Sequence, residues 1–178
     1  MKKTALFIAI ALALVVMPGV ASAQTSSGTL TVTATVDSSI SLTFVSSGSG
    51  ISLTGSGSNA ATMAFGNVQA YGGSVPAGVT KSVNGVTYWQ LSTPFLVRVE
   101  NANAPSSADY TLVAQLSSAD ATNTWLINAV DISDGTSQQI TAAGNYDSND
   151  SHTFFLRIPH SAAAGAIGNS ISFTATAN

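Results

Sequence analysis

Residues able to do acid–base or nucleophilic chemistry are few in this chain of 178 residues. It contains two histidines, His152 and His160, and no cysteine, which excludes thiolate catalysis and zinc thiolate sites. The two histidines occupy opposite ends of one predicted strand, roughly 25 Å apart at about 3.3 Å per residue. They cannot share a metal within one subunit, and we predict that both lie on the surface or in loops. No serine lies in a Gly-x-Ser-x-Gly turn. The sequence therefore predicts a protein that is not an enzyme and binds no metal or cofactor.

Two acidic loops carry carboxylates at close spacing. Asp131 and Asp134 lie in DISDG, and Asp147 and Asp150 lie in YDSNDS. Calcium favours oxygen-rich loops of this kind. Neither loop has the full EF-hand pattern, however, and Asp and Asn are also the ordinary residues of turns. Structural turns are the favoured interpretation, and calcium is the alternative.

Residues 1–23 are typical of a secretory signal peptide. Lys2 and Lys3 precede an apolar run from Ala5 to Val16, and the small residues at 21 and 23 suit cleavage before Gln24. The run is about a dozen residues long, short of the roughly twenty that a membrane-spanning helix needs. An uncleaved anchor is the alternative. We expect a secreted protein, extracellular or at the cell surface, with no membrane span after removal of the signal.

Residues 24–178 have the size of a single domain with a hydrophobic core. They hold three basic residues, Lys81, Arg98 and Arg157, against eight acids, and hence a formal charge of −5. Such a surface has few ligands for phosphate, which argues against nucleic acid or anionic lipid as a partner. Charged residues are only 7% of the chain, and weak charge repulsion between copies favours self-association.

Short apolar segments, rich in β-branched and aromatic residues and bounded by turn residues, follow one another from Gly28 onwards. They predict an all-β chain without helices. The favoured fold is an antiparallel immunoglobulin-like β-sandwich, with a jelly-roll-like variant or a barrel as alternatives. The predicted strands are 29–36, 39–45, 51–54, 62–65, 79–83, 86–91, 95–100, 110–116, 124–130, 138–141, 152–158 and 170–177.

Local signals refine this pattern. Asn84-Gly85 predicts a hairpin with a type I′ turn, in which both central residues have positive φ, and Asp134-Gly135 predicts a second tight turn. Residues 46–59, rich in Gly and Ser, predict a long loop with at most one weak edge strand. Trp89 and Trp125 are predicted to fill the core.

The stretch GTLTVTATV near the predicted mature N-terminus alternates apolar residues with threonines: Leu30, Val32, Ala34 and Val36 fall on every second position. The last residues, ISFTATAN, repeat this alternation. One interpretation is an ordinary strand of the chain's own sheet. The other is that residues 24–36 insert into a neighbouring copy by β-strand addition, in which main-chain hydrogen bonds give affinity and alternate side chains fill pockets. Repeated head to tail, this contact builds a filament.

Three segments carry a resemblance to known secreted subunits: TLTVTATVDSSISLTF, MAFGNV and IPHSAAAGAIGNSISFTATAN. They resemble pilus subunits of the spore-coat-U and archaic chaperone–usher kind, and the layout is also similar to camelysin-like biofilm-fibre subunits. The resemblance implies an immunoglobulin-like subunit that polymerises by donating its N-terminal strand, and it leaves a periplasmic chaperone and an usher open as further partners. The chain lacks the cysteine pair of many such subunits and has Ala177 where many have an aromatic residue.

The sequence leaves a second function open, that of a monomeric secreted module for polysaccharide binding or cell-surface adhesion. Its stacking groups would be the aromatic residues Tyr71, Tyr88, Trp89 and Tyr146. This hypothesis requires those rings to be exposed, whereas the filament hypothesis requires an open groove that accepts a strand.

Overall fold

The computed structural model describes residues 30–35, 39–103 and 107–178. The chain divides into two units, residues 1–35 and 36–178. In the first unit, residues 30–35 form no strand, and the side chains of Leu30 and Val32 are 86% and 79% exposed. The strand predicted at 29–36 is therefore wrong over these six residues. Alternation makes a segment suitable for a sheet, but a strand forms only where another strand satisfies its backbone.

The described part of the second unit is all-β, as the sequence predicts. It contains no helix, and no helix among the described residues could cross a membrane. The strands are β1 (Ser39–Ser46), β2 (Thr80–Asn84), β3 (Tyr88–Ala102), β4 (Tyr110–Leu116), β5 (Thr124–Ile127), β6 (Val130–Asp131), β7 (Gln138–Gly144), β8 (Asn149–Pro159) and β9 (Ile171–Ala177).

These strands form two antiparallel sheets. The first has the order β1-β3-β8-β5-β6, with β2 paired to the remaining part of the β3 edge that β1 uses, and the second has the order β7-β4-β9. The inward faces of both sheets share one hydrophobic core, in which Leu91 and Val97 of β3 belong to the same cluster as Leu112 and Ala114 of β4. The architecture is therefore sandwich-like.

Strand β3 joins two segments that the sequence separates at Pro94. Its pairing with β8 continues through Pro94, which lies opposite Thr153. The hydrogen bond from His160 N–H to Thr87 O shows that the odd-numbered residues of β3 bond to β8. By alternation, the backbone of Pro94 faces the opposite edge of β3. On that edge β2 pairs with β3 up to Ser92, and β1 pairs with it from Phe95 onwards. The missing N–H of Pro94 therefore falls in a gap where no strand needs it.

Several local predictions need correction. The hairpin at Asn84-Gly85 is confirmed, but only Gly85 has positive φ (52°) and the loop spans 85–87, so the turn is not type I′. The strands predicted at 51–54 and 62–65 are reduced to one isolated bridge between Thr54 and Thr62. The strand predicted at 124–130 breaks at Asn128, whose φ is 56°, because residues 128–129 form the turn that connects β5 to the antiparallel β6.

The two tryptophans are buried in the core, as predicted. His152 is also buried, with 2% of its surface exposed, so the predicted surface position is wrong. It lies on the inward face of β8, 5.6 Å from the Phe95 ring, and its Nδ1 is 3.1 Å from the side-chain amide of Asn128. Period-two alternation of β8 dictates this burial, since His152 shares a face with Phe154 and Leu156.

Candidate functional site: an open groove between two sheet edges

A groove of about 1100 Å³ opens between β1, at the edge of the first sheet, and β9, at the edge of the second. It lies wholly within residues 40–173. Its walls carry Leu42 and Phe44 from β1 and Ile171 and Phe173 from β9. Its floor consists of core side chains, namely Phe95, Trp125, Ile127, Phe154 and Leu156.

Aromatic rings pack closely across this groove. The Phe173 ring lies 5.1 Å from Phe44 and 5.9 Å from Phe95, edge to face in both pairs. Elsewhere in the groove, the Phe154 ring centroid lies 5.8 Å from that of Trp125 and 5.9 Å from that of Phe65. The groove is thus an opening onto the hydrophobic core, and its surface suits apolar side chains.

A partly buried carboxylate fixes the position of Trp125 at the floor. Asp120 accepts hydrogen bonds from the Trp125 indole N–H (2.8 Å), from the Asn123 backbone and side chain (2.9 Å each) and from the Thr122 N–H (2.9 Å). Burial acts to raise the pKa of Asp120, but these bonds outweigh it and lower the pKa to about 2. The carboxylate is therefore ionised under ordinary conditions and holds the indole in place.

The outward edge of β9 has unpaired backbone groups. Hydrogen bonds from Ser117 N–H to Ser170 O and from Asn178 N–H to Asp109 O show that even-numbered residues of this segment bond to β4. By alternation, the backbone groups of Ile171, Phe173, Ala175 and Ala177 face away from β4. Among the described residues no strand pairs with that edge.

On β1 the corresponding edge is only partly occupied. Phe44 points its backbone away from β3, donating to Ser58 O (2.8 Å) and accepting from Gly57 N–H (2.7 Å). Ser58 belongs to the capping hairpin, residues 54–62, which is closed by the bridge between Thr54 and Thr62. By the same alternation the backbone groups of Ile40 and Leu42 also face outward, and no described strand pairs with them there. The capping hairpin therefore limits the open edge of β1 to its first half.

The four residues predicted to fill a neighbour's pockets lie in the N-terminal segment. Leu30, Val32 and Ala34 are exposed, and Val36 lies outside the described residues. The sequence also drew attention to the alternation in ISFTATAN, which forms the β9 edge. It gave no sign of Leu42, Phe44 and the floor residues as groove walls, because each reads as an ordinary core position.

In the two acidic loops, the aspartates accept local hydrogen bonds or occupy turns. Asp131 accepts a hydrogen bond from Ser133 N–H (2.8 Å), and Asp134 accepts one from Thr136 N–H (2.9 Å). Asp150 accepts one from the Thr141 hydroxyl (2.9 Å), while Asp147 occupies a turn with a φ of 59°. Within the described ranges no three His, Cys, Asp or Glu residues are grouped to hold a metal ion.

The aromatic residues of the binding-module hypothesis do not form one exposed platform. Trp89 is buried, and the Tyr146 hydroxyl donates to Asp109 O. Tyr88 lies under the Arg157 guanidinium at 5.2 Å. Tyr71 is 68% exposed, with one face stacked on His160 at 5.5 Å. A single open ring face is a weak basis for sugar stacking.

The chain matches no family model, no curated protein and no solved structure.

Proposed function

We propose that this protein is a structural subunit of an extracellular pilus or fibre, in which the N-terminal segment of one copy inserts into the groove of the next. The observation that carries this proposal is the open groove between β1 and β9, which has an apolar floor and backbone groups available on both sides. An inserted strand would join the two sheet edges and complete an immunoglobulin-like sandwich. The segment that best fits this role is residues 30–36.

Length supports this match. Strand β1 has eight residues and β9 has seven, so these two strands extend roughly 23 to 26 Å at about 3.3 Å per residue. Residues 30–36 extend about the same distance as β9. The segment therefore covers the open edge of β9 without leaving a long unpaired end.

Chemistry supports it as well. The side chains of Leu30 and Val32 are largely exposed, and fully burying such a side chain contributes about 1.5–3 kcal/mol. The unpaired backbone groups of β9 would gain partners at the same time, and unpaired edges are otherwise sites of uncontrolled association. Insertion of the strand therefore stabilises both the donor and the acceptor subunit.

An interaction between two different surfaces of the same chain does not close on itself unless its geometry returns to the start. The donated segment and the groove are two such surfaces, so we propose a head-to-tail homopolymer. Its low content of charged residues, 7%, keeps repulsion between copies small. Secretion precedes assembly, and a chaperone and an usher are further partners in this proposal.

Negative-stain electron microscopy of the protein from Gln24 to Asn178, beside a version beginning at Asp37, tests the proposal. Filaments from the first and none from the second are expected. Circular dichroism and thermal unfolding of the truncated version provide the control, since its strands must remain folded. Filaments that persist after truncation, or the absence of filaments from the longer version at high concentration and with the cellular assembly machinery present, would contradict it.

A further inference from the structure

The two edges of the groove run in opposite directions. Ser39, the first residue of β1, lies opposite Ala102 at the end of β3. The same end of the sandwich holds Tyr110, the first residue of β4, because its ring lies 5.5 Å from Tyr146, whose neighbour Asp147 donates to Val99 O. Ala177 pairs with Tyr110, so β9 ends where β1 begins.

A strand lying between these edges must be antiparallel to one and parallel to the other. No described strand pairs with the outward backbone groups of β9, whereas the capping hairpin already takes the outward backbone groups of Phe44 on β1. Most hydrogen bonds of an inserted strand therefore go to β9, and antiparallel pairing is the more stable form. This comparison favours an inserted strand that is antiparallel to β9.

We propose a register for this strand: Ala34 lies opposite Phe173, Val32 opposite Ala175 and Leu30 opposite Ala177 of the accepting copy. This inference rests on the proposed function and adds the direction and alignment of the strand. It follows from side-chain size. The Phe173 ring already packs against Phe44 and Phe95, so the smallest donated side chain belongs there, while the alanines of β9 leave room for valine and leucine.

Other registers lose this fit. A shift of one residue turns the threonines into the apolar groove and the apolar side chains outward. A shift of two residues in one direction puts Val32 against the crowded Phe173 ring. A shift of two in the other direction puts Val36 there. Overpacked positions of this kind typically cost about 1–3 kcal/mol.

The outward face agrees with the same register. Ser172, Thr174 and Thr176 of β9 are exposed, and they would lie opposite Thr35, Thr33 and Thr31 of the donated strand. Hydroxyl pairs of this kind stabilise neighbouring antiparallel strands by roughly 0.2–1 kcal/mol each. The threonines between the apolar residues of both segments thereby gain a role in pairing.

Direction also decides the type of assembly. In the proposed direction the donated strand runs from the end of the groove where β9 finishes to the end where β9 begins, and the donor's own β1 follows beyond that far end. Successive copies then stack in the same sense and form an open fibre. The opposite direction would bring the β1 ends of two copies together, so that each could fill the other's groove and close a dimer.

Disulfide mapping tests this register without interference from native thiols, because the chain has no cysteine. Two double variants match the proposal: Thr31→Cys with Thr176→Cys, and Thr35→Cys with Ser172→Cys. These positions would be non-hydrogen-bonded antiparallel pairs, whose Cα atoms are about 4.5 Å apart and whose Cβ atoms come close enough for a disulfide bond. Mild oxidation of assembled fibres should give a ladder of covalent oligomers on a non-reducing gel.

The exchanged combinations are the matched controls. Thr31→Cys with Ser172→Cys, and Thr35→Cys with Thr176→Cys, should give at least tenfold less cross-linked product, although they contain the same substitutions. Electron microscopy of all four variants reports assembly independently. Fibres that cross-link mainly through the exchanged combinations would overturn the register and leave the proposed function standing. Absence of both fibres and intersubunit disulfides would overturn the proposed function, and the register with it.

Discussion

Val32 lies in the middle of the exposed segment 30–35, and its replacement by Asp separates folding from assembly. Its side chain is 79% exposed in the described structure, so Val32→Asp should change the free energy of unfolding of a single copy by no more than about 0.5 kcal/mol. In the proposed register, the same carboxylate would lie opposite Ala175, on the face of β9 that packs against the hydrophobic core. The substitution therefore acts on assembly alone.

The size of the effect follows from two contributions. Loss of a buried valine removes about 1.5–3 kcal/mol, and burial of a polar group without a partner costs roughly 2–7 kcal/mol, more if it is charged. A combined penalty of about 4 kcal/mol is therefore a conservative value. It raises the critical concentration for assembly about 10³-fold, since each 1.4 kcal/mol corresponds to a factor of ten.

The assay is light scattering and electron microscopy over a concentration series of the protein from Gln24 to Asn178. Thr33→Asp is the matched control, because it adds the same charge one residue away on the side predicted to face outward. Its critical concentration should stay within about threefold of the wild type, as expected for a surface change of about 0.5 kcal/mol. Thermal unfolding of both variants checks that the folded domain is intact.

Equal loss of assembly in Val32→Asp and Thr33→Asp would refute the reasoning, since it would show a response to net charge and not to burial of one face. Normal assembly of Val32→Asp would refute it as well, because a carboxylate in the groove is incompatible with an unchanged critical concentration.

Three further predictions concern the stability of the fold. Asp120→Ala should lower the free energy of unfolding by about 2 kcal/mol, the scale of hydrogen bonds to a charged group. Because the folded-state pKa of Asp120 is about 2, the greater stability of the wild type in denaturant titrations should persist at neutral pH and shrink as the pH falls below 3.8. A difference in stability that does not depend on pH would contradict this prediction. Burial lowers the pKa of His152 below 6.5, against the opposing effect of Asp150, so the folded state binds fewer protons than the unfolded state. The free energy of unfolding should therefore fall as the pH drops from 6.5 towards the folded-state pKa of His152. His152→Gln should reduce this dependence of stability on pH, and an unchanged dependence would exclude His152 as its source. Gly144→Ala should destabilise the fold by about 1–3 kcal/mol, since a Cβ there would lie 2.3 Å from the Tyr110 ring; Gly165→Ala, with no atom within 4 Å of the added Cβ, is the neutral control in thermal unfolding, and equal midpoints for the two variants would disprove the steric argument.

Much of the fold could be predicted from local pattern. Alternation of apolar and polar residues located β1, β4, β8 and β9 to within a few residues, because a sheet with one buried face imposes a period of two on its sequence. The same pattern predicted an all-β chain without helices. Absence of cysteine and scarcity of histidine were visible directly.

Other features required the tertiary structure. A proline predicts a strand end, yet β3 runs through Pro94 because neither β1 nor β2 pairs with β3 at Pro94. A histidine predicts a surface, yet His152 is buried because its position in the alternation of β8 turns it inward. In each case the partner strands outweighed the residue's own preference.

The sequence by itself determined which segments of this protein can form strands and which face of each is apolar, since these depend on neighbours along the chain. Only the tertiary structure decided that β1 and β9 become the two unpaired edges beside one groove. An edge is defined by which strands do not meet, and that depends on contacts between residues more than a hundred positions apart, such as Phe44 and Phe173. No local pattern encodes such a vacancy, so the groove appears only when both sheets are in place.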